Sequence, residues 1–275
     1  MSHALKPNLS SLPVKRVLVT GASGFIGRHS LNLLLEAGFE VHALSRSLDK
    51  LTSEYSAINW HKADLFKKKE IQEILTEVRP THLLHFSWYA EPGQYWTAIE
   101  NFHWVKVSLT LLQAFAQQGG RRVVMAGSCA EYDWNYGLCS EYHTPRTPTT
   151  VYGTCKNALQ DMLHIYAKQY NLSSAWGRVF FLYGPYEHPS RLVASIIHSL
   201  LLGESALCSN GEQKRDFLHV LDAASAFVTL LDSKKQGAVN IASGKAVAIK
   251  DVISEIANKL GRPELVKLGA RATLA

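Results

Sequence analysis

The chain has 275 residues, 47% of them hydrophobic and 19% charged, with a net charge of +6 at neutral pH. This is enough material for one large α/β domain, or a nucleotide-binding domain with a small lobe, and it is not the composition of a disordered or fibrous chain. The longest apolar runs, Leu31 to Leu35 and Val193 to Leu202, are too short or too polar to span a bilayer, and nothing in Lys67-Lys68-Lys69 resembles the basic, aromatic-interleaved surface of a nucleic-acid binder.

In chain order, residues 1–14 lack the basic start and apolar centre of a secretion signal, so they read as a polar tail, with the cytoplasm as the expected location. Strand and helix patterns then alternate to about residue 181, as in a doubly wound parallel sheet. Arg16 to Thr20 reads as a buried strand running into the glycine loop Thr20-Gly21-Ala22-Ser23-Gly24-Phe25-Ile26-Gly27. A helix follows over Ile26 to Ala37, ended by Gly38, and a second strand over Val41 to Leu44. Ile58 to His61 leads to Asp64, the lysine run opens a surface helix, and Ile71 to Val78 is stopped by Pro80. His82 to Phe86 is a strand, Trp96 to Gln118 a long helix, and Arg122 to Ala126 a strand delivering Ser128 at its carboxyl end. After the Pro- and Thr-rich stretch His143 to Thr150 comes the helix Thr150 to Gln169, then a strand from Ser174 to Phe181. Beyond about residue 185 the elements shorten: helices at Leu192 to Leu202 and Leu221 to Leu231, with the loop Asn210-Gly211-Glu212 between them.

The glycine loop leaves a strand and opens a helix, the context in which backbone amides and a helix N-terminus approach a pyrophosphate. Glycines at 21, 24 and 27 remove Cβ atoms at the turn, at the phosphate and at the helix–sheet contact. About 20 residues on, a fold selective for NAD places a carboxylate for the ribose 2′-hydroxyl. Here the stretch is Ala43-Leu44-Ser45-Arg46-Ser47. Arg46 and Ser45 suit a 2′-phosphate, which favours NADP(H) with NAD(H) possible; as a merely solvated residue, Arg46 would leave selectivity open. Asp64, beside Leu65, either accepts from the adenine amino group or caps a helix. Tyr152 and Lys156 stand four apart, on one face of a helix, where an ammonium favours the phenolate and makes a tyrosine useful for proton transfer. The cysteines at 129, 139, 155 and 208 have no metal-ligand spacing, so no metal is expected.

With these residues in this order, the chain resembles an extended short-chain dehydrogenase/reductase, the class of nucleotide-sugar epimerases, dehydratases and 4-ketoreductases. The resemblance runs from about Lys15 to Gly261 and includes Leu182-Tyr183-Gly184-Pro185, Arg215-Asp216-Phe217-Leu218-His219-Val220 and Val239-Asn240-Ile241-Ala242-Ser243-Gly244. It implies an α/β fold with a Rossmann-type domain over 15–184 and a mainly substrate-binding lobe over 185–275, some of whose elements return to the main sheet. It implies Tyr152 as acid/base, Lys156 holding the nicotinamide ribose and lowering the tyrosine pKa, and Ser128 on the reacting oxygen. Gly21, Ser23, Gly24, Phe25, Ile26, Gly27, Ser45, Arg46, Asp64 and Leu65 then line the cofactor. Arg215, and more weakly Arg191, would meet the phosphates of a nucleotide-sugar; the structural alternative for Arg215 is a salt bridge to Asp216 or Asp222, and Asp222 otherwise caps the helix after it. Homodimers through the helices Trp96 to Gln118 and Thr150 to Gln169 are a further implication.

Departures from the family pattern narrow the reading. Dehydratases carry an acidic pair directly after the active-site Ser/Thr, where this chain has Cys129 and Ala130. Glu131 lies one position too far along, and in an extended segment its side chain points elsewhere. Phe181 stands where many members have Asn for the substrate phosphate. His85 and His143 are candidate extra acids or structural histidines. The expectation is an NADP(H)-dependent reductase of a keto-sugar, a nucleotide-linked 4-keto-6-deoxyhexose. The alternatives are an epimerase with tightly bound NAD and a catalytically silent cofactor-binding or scaffold protein. The sequence ends at residue 275, short of the last elements that longer relatives place over the sugar site.

Overall fold

The computed structural model describes residues 14–48 and 55–271. Most of the expected N-terminal tail therefore lies outside the described residues. Seven parallel strands form the central sheet: β1 (Arg16–Thr20), β2 (Glu40–Ser45), β3 (Asn59–Lys62), β4 (His82–His85), β5 (Arg122–Ser128), β6 (Ser173–Val179) and β10 (Gly237–Ile241). Their spatial order is β10-β6-β5-β4-β1-β2-β3. The order reverses between β1 and β4, so the crevice beyond their carboxyl ends is the place where such sheets bind ligands.

Side-chain alternation along β1 sets up two layers. Val17 and Val19 face a core shared with α1 (Phe25–Glu36) and α6 (Val220–Asp232), through Leu31, Leu34 and Phe227. Leu18 faces the opposite core, filled from α2 (Lys68–Val78), α3 (Glu100–Gln117) and α4 (Val151–Gln169) by Leu75, Phe115 and Leu159. Burial on both faces explains why β1 reads as a continuous apolar run. A smaller core joins α5 (Leu192–Leu201) and α7 (Ile249–Lys259) through Ile196, Leu200 and Ile253, beside the paired strands β8 (Ala206–Leu207) and β12 (Val266–Lys267).

Two elements differ from the sequence expectation. The run from Ser174 to Phe181 is two strands: β6 ends at Val179, and β7 (Phe181–Tyr183) joins a separate three-stranded sheet with β9 (Lys214–His219) and β11 (Ala246–Ala248). Val179 to Tyr183 is apolar and aromatic throughout, so the sequence carries no mark of a change of sheet there. The helix expected from Trp96 begins instead at Glu100. Residues 88–99 are held as a loop, because Trp96 O accepts from Tyr152 N at 3.1 Å. The Asn101 side-chain amide also donates to Tyr95 O and Ala98 O, at 2.7 and 2.9 Å.

Candidate active site

Gly21 follows β1 with φ of +67°, in the left-handed region that favours glycine, and a Cβ there would lie 2.8 Å from Ser87 N at the end of β4. A Cβ on Gly27 would run into Gly21 O, so α1 is seated directly on the loop. Gly24 N donates to Gly21 O at 2.9 Å, closing the turn, and the first turn of α1 holds no acidic residue to repel an anion. Ser23 O accepts from Arg28 Nη2 at 3.0 Å, Phe25 meets the His29 ring edge-on, and Ile26 packs on the α1–α6 core. A backbone-lined cradle that side chains would fill fits a dinucleotide pyrophosphate.

At the end of β2, Ser45 Oγ donates to Ser47 O at 2.7 Å, and Arg46 is exposed. Arg46 lines a cleft of about 320 Å³ with Lys62, Ala63, Asp64, Lys67 and Glu70. Asp64 Oδ1 accepts from Phe66 N at 3.0 Å, and Asp64 N donates to Glu70 Oε2 at 2.9 Å. Asp64 thus caps a turn ahead of α2, whose own N-cap is Lys67. Leu65 packs against the α2–α4 core.

Ser128 ends β5 and caps a short 3-10 turn over Cys129–Glu131. It hydrogen-bonds the Tyr152 phenol, which favours the phenolate. Burial nevertheless dominates, with Tyr95, Cys129 and Glu131 acting the same way, and holds the Tyr152 hydroxyl above the usual phenol range. Lys156 is not among the groups that shift the Tyr152 hydroxyl in this structure. The Lys156 ammonium instead donates to Ala126 O at 2.8 Å, lies over the Trp88 ring, and is itself pulled down to about 7 by burial, with Glu131 opposing. Tyr152 is enclosed by rings: Tyr95 at 4.9 Å, Trp96 at 5.8 Å and Trp88 at 6.5 Å between centroids, all edge-on.

Arg191, the N-cap of α5, reaches this enclosure: it hydrogen-bonds Tyr95 and sits 5.9 Å from its ring centroid. Near it, burial pushes the Glu187 carboxyl up to about 7, with Arg191 and the Ala194 amide opposing, and Oε2 has no hydrogen-bond partner among the described residues. Arg215 lies between Trp134 and Phe181, 5.6 and 5.3 Å from their centroids, and donates to Lys214 O at 2.8 Å. The alternative salt bridge of Arg215 is absent among the described residues: Asp216 accepts from Ser243 and Gly244, and Asp222 lies in the first turn of α6, whose N-cap is His219.

His85 bridges Thr20 Oγ1 at 2.7 Å and Ser108 Oγ at 2.9 Å inside the core, where burial lowers its pKa to about 3; it is structural and neutral. His143 is exposed. Glu131 does not lie in an extended segment, and the 3-10 turn sends its carboxylate inward to Ser128 N, Trp176 and Arg178. Sequence reasoning missed Trp88, Tyr95 and Trp96. Four large aromatics, Trp88, Tyr89, Tyr95 and Trp96, within residues 87–96 after the strand end were the available signal, read there as loop and helix start.

A doubly wound sheet with a glycine cradle at its switch point and a Ser–Tyr–Lys group on the adjacent strand and helix defines a dinucleotide-dependent oxidoreductase fold. The family model for the NAD dependent epimerase/dehydratase family matches residues 17–242. The chain belongs to that family, and it is an NAD(P)-dependent enzyme of the extended short-chain dehydrogenase/reductase type. It is 26% identical over 266 residues to CDP-abequose synthase of Salmonella typhimurium, covering 92% of this chain and 84% of that protein. It is 24% identical to dTDP-6-deoxy-L-talose 4-dehydrogenase (NAD(+)) of Aggregatibacter actinomycetemcomitans, covering 87% and 88%. Among solved structures, the NAD complex of UDP-glucose 4-epimerase from Thermus thermophilus superposes with a TM-score of 0.80 and 26% identity, covering 94% of this chain and 88% of that one. Among the described residues, no helix is long and apolar enough to cross a membrane, and no group of His, Cys, Asp and Glu could hold a metal ion.

Proposed function

We propose that this protein reduces a keto group of a nucleotide-linked sugar, a 4-keto-6-deoxyhexose, with NADPH. The observation that carries the reductase reading is the cleft at the end of β2. Arg46 stands there with Lys62 and Lys67, where an NAD-selective fold places a carboxylate on the strand end. Cells keep NADP largely reduced, so selection of its 2′-phosphate favours delivery of hydride over its recovery. Cys129 and Ala130 supply no acid for dehydration. The similarity to a dTDP-6-deoxy-L-talose 4-dehydrogenase is consistent with chemistry at position 4 of a deoxysugar.

The glycine loop holds the pyrophosphate, Arg46 with Ser45 the 2′-phosphate, and Lys156 the nicotinamide ribose. When bound, the cofactor supplies the hydride. Ser128 and Tyr152 hydrogen-bond the keto oxygen and stabilise the negative charge that grows on it. Tyr152 then gives its proton to that oxygen. A phenol held protonated by burial suits this direction, since the group must be an acid when reduction occurs. Lys156, close to neutrality in its own pKa, and water resupply the proton. Arg191 at the enclosure and Arg215 between its two rings are the candidate contacts for the diphosphate.

The test is consumption of NADPH with a panel of nucleotide-linked 4-keto-6-deoxysugars, repeated with NADH. Rapid oxidation of NADPH alone supports the reading. No consumption, with NAD retained by the purified protein, turns it to an epimerase. Exposed apolar side chains on α3 and α4, among them Phe102 and Ile165, support a homodimer, which sedimentation would check.

A further inference from the structure

Glu131 is fully buried, and every group aimed at it is a donor. Ser128 N donates to Oε1 at 2.8 Å, Trp176 Nε1 to Oε1 at 2.9 Å, and Arg178 Nε to Oε2 at 2.7 Å. Arg178, itself 1% exposed, continues outward to Tyr132 Oη at 2.8 Å and to Gln160 Oε1. Tyr132 donates on to Asn240 Oδ1 at 2.7 Å. The carboxylate is therefore anchored on β6, α4 and β10 at once. Backbone room was made for it: a Cβ on Gly127 would strike Trp176 Nε1 and come within 2.7 Å of Glu131 Oε1.

The turn it closes is reciprocal. Glu131 takes the Ser128 amide while the Ser128 hydroxyl accepts from the Glu131 backbone amide, the two halves of a capping box, and Ser128 Oγ also accepts from Ala130 N at 3.2 Å. A serine hydroxyl has one proton to give and two lone pairs to fill. With its acceptor side facing the turn, the hydroxyl directs its proton outward, where it meets the Tyr152 phenol and the Cys129 thiol. Stability alone is a weak account of this pair, because buried ion pairs replaced by apolar groups of similar volume are often neutral.

We infer that Glu131 is a positioning residue: by gripping the Ser128 amide it fixes Ser128 Oγ as the hydrogen-bond donor to the reacting oxygen. The inference rests on the catalytic place given to Ser128 above. It accounts for a carboxylate at a position where an amide would turn its NH2 toward at least one donor.

Glu131→Gln alone strands the Arg178 charge and is a poor probe. The informative variant is the pair Glu131→Met/Arg178→Met, which leaves no buried charge and no acceptor for the Ser128 amide, made both with Ser128 and with Ser128→Ala. With Ser128 present, kcat should fall about tenfold or more, with KM for both substrates little changed, as when an oxyanion donor is displaced. With Ser128→Ala, the same pair should change kcat by less than about twofold, because coupled residues are non-additive. Backbone amide exchange at Ser128, slow in the wild type, should accelerate in the pair. Equal fold-losses in the two backgrounds, no loss with Ser128 present, or unchanged protection of the Ser128 amide would each overturn the inference. Failure of the reductase reading shows separately, as absent wild-type turnover of keto-sugar, and amide exchange then decides the inference alone.

Discussion

The Lys156 ammonium nitrogen lies 3.8 Å from the centre of the Trp88 ring. Trp88 is fixed there by its own Nε1, which donates to Asn101 Oδ1 at 2.8 Å. An indole face attracts a cation but takes none of its hydrogen bonds, and among the described residues Ala126 O alone accepts from this nitrogen. Burial consequently pulls Lys156 from 10.5 to about 7. Between those two values the unfolded chain binds a proton that the folded chain has released, so stability rises with pH across that window. Lys156→Met removes the penalty. It should gain most over the wild type below pH 7, and the gain should shrink as pH approaches 10. Urea unfolding of both proteins from pH 6 to pH 10 measures this; a pH-independent difference would mean that the folded lysine stays charged throughout.

Tyr152→Phe should lower kcat by about two orders of magnitude or more, the usual worth of a positioned acid. Its ring packing against Tyr95 and Trp96 survives the change, as does the bond from its backbone N to Trp96 O. Melting temperature and NADPH affinity should therefore stay near wild type while turnover collapses. Turnover within tenfold of wild type would remove Tyr152 from its assigned place.

Much of this fold is written locally. β1 is a run of apolar residues ending in a glycine loop, and α4 opens after a Pro- and Thr-rich stretch with Thr150 Oγ1 accepting from Gly153 N. Those signals place Gly21, Ser128, Tyr152 and Lys156 at one edge of a sheet before any contact is known. What stays hidden depends on distant partners. Nothing near Phe180 announces that the chain leaves one sheet for another, and the inward turn of Glu131 is decided by Trp176 and Arg178, more than forty residues away. Arg215 between Trp134 and Phe181 is likewise a meeting of three separate segments. The Lys156 environment could not be read either, since Trp88 reaches it from the loop after β4.

Gly27→Ala and Gly38→Ala should separate cradle geometry from simple backbone strain. Gly38 has φ of +79° with open space around its missing Cβ, so alanine there should lower stability by about 1 kcal/mol and leave binding intact. At Gly27 the new methyl meets backbone, Gly21 O, which cannot rotate away as a side chain would. The loop must shift, and NADPH affinity should fall by about tenfold or more, since hydrogen bonds weaken steeply with misalignment. Titration of NADPH into both variants, alongside thermal melting, is the check; equal affinities would show that the loop does not grip the pyrophosphate.

Arg46→Ala should act on one cofactor and spare the other. The side chain is exposed at the rim of the cleft it shares with Lys62 and Lys67, and Lys67 is already paired with Glu70 at 2.9 Å. A guanidinium offers two parallel donors to a phosphate, which a lysine acting as a point charge does not replace. kcat/KM for NADPH should drop about tenfold, about one strong charge-assisted contact, while that for NADH moves less than about twofold. Because the pair is open to solvent, the wild-type preference for NADPH should also weaken between low salt and 1 M salt, where the screening length falls to about 3 Å. Buried chemistry at Tyr152 is screened far less, so NADH turnover should hold over the same range. Equal losses with both cofactors would instead place Arg46 outside the 2′-phosphate site and return selectivity to the remaining residues of the cleft.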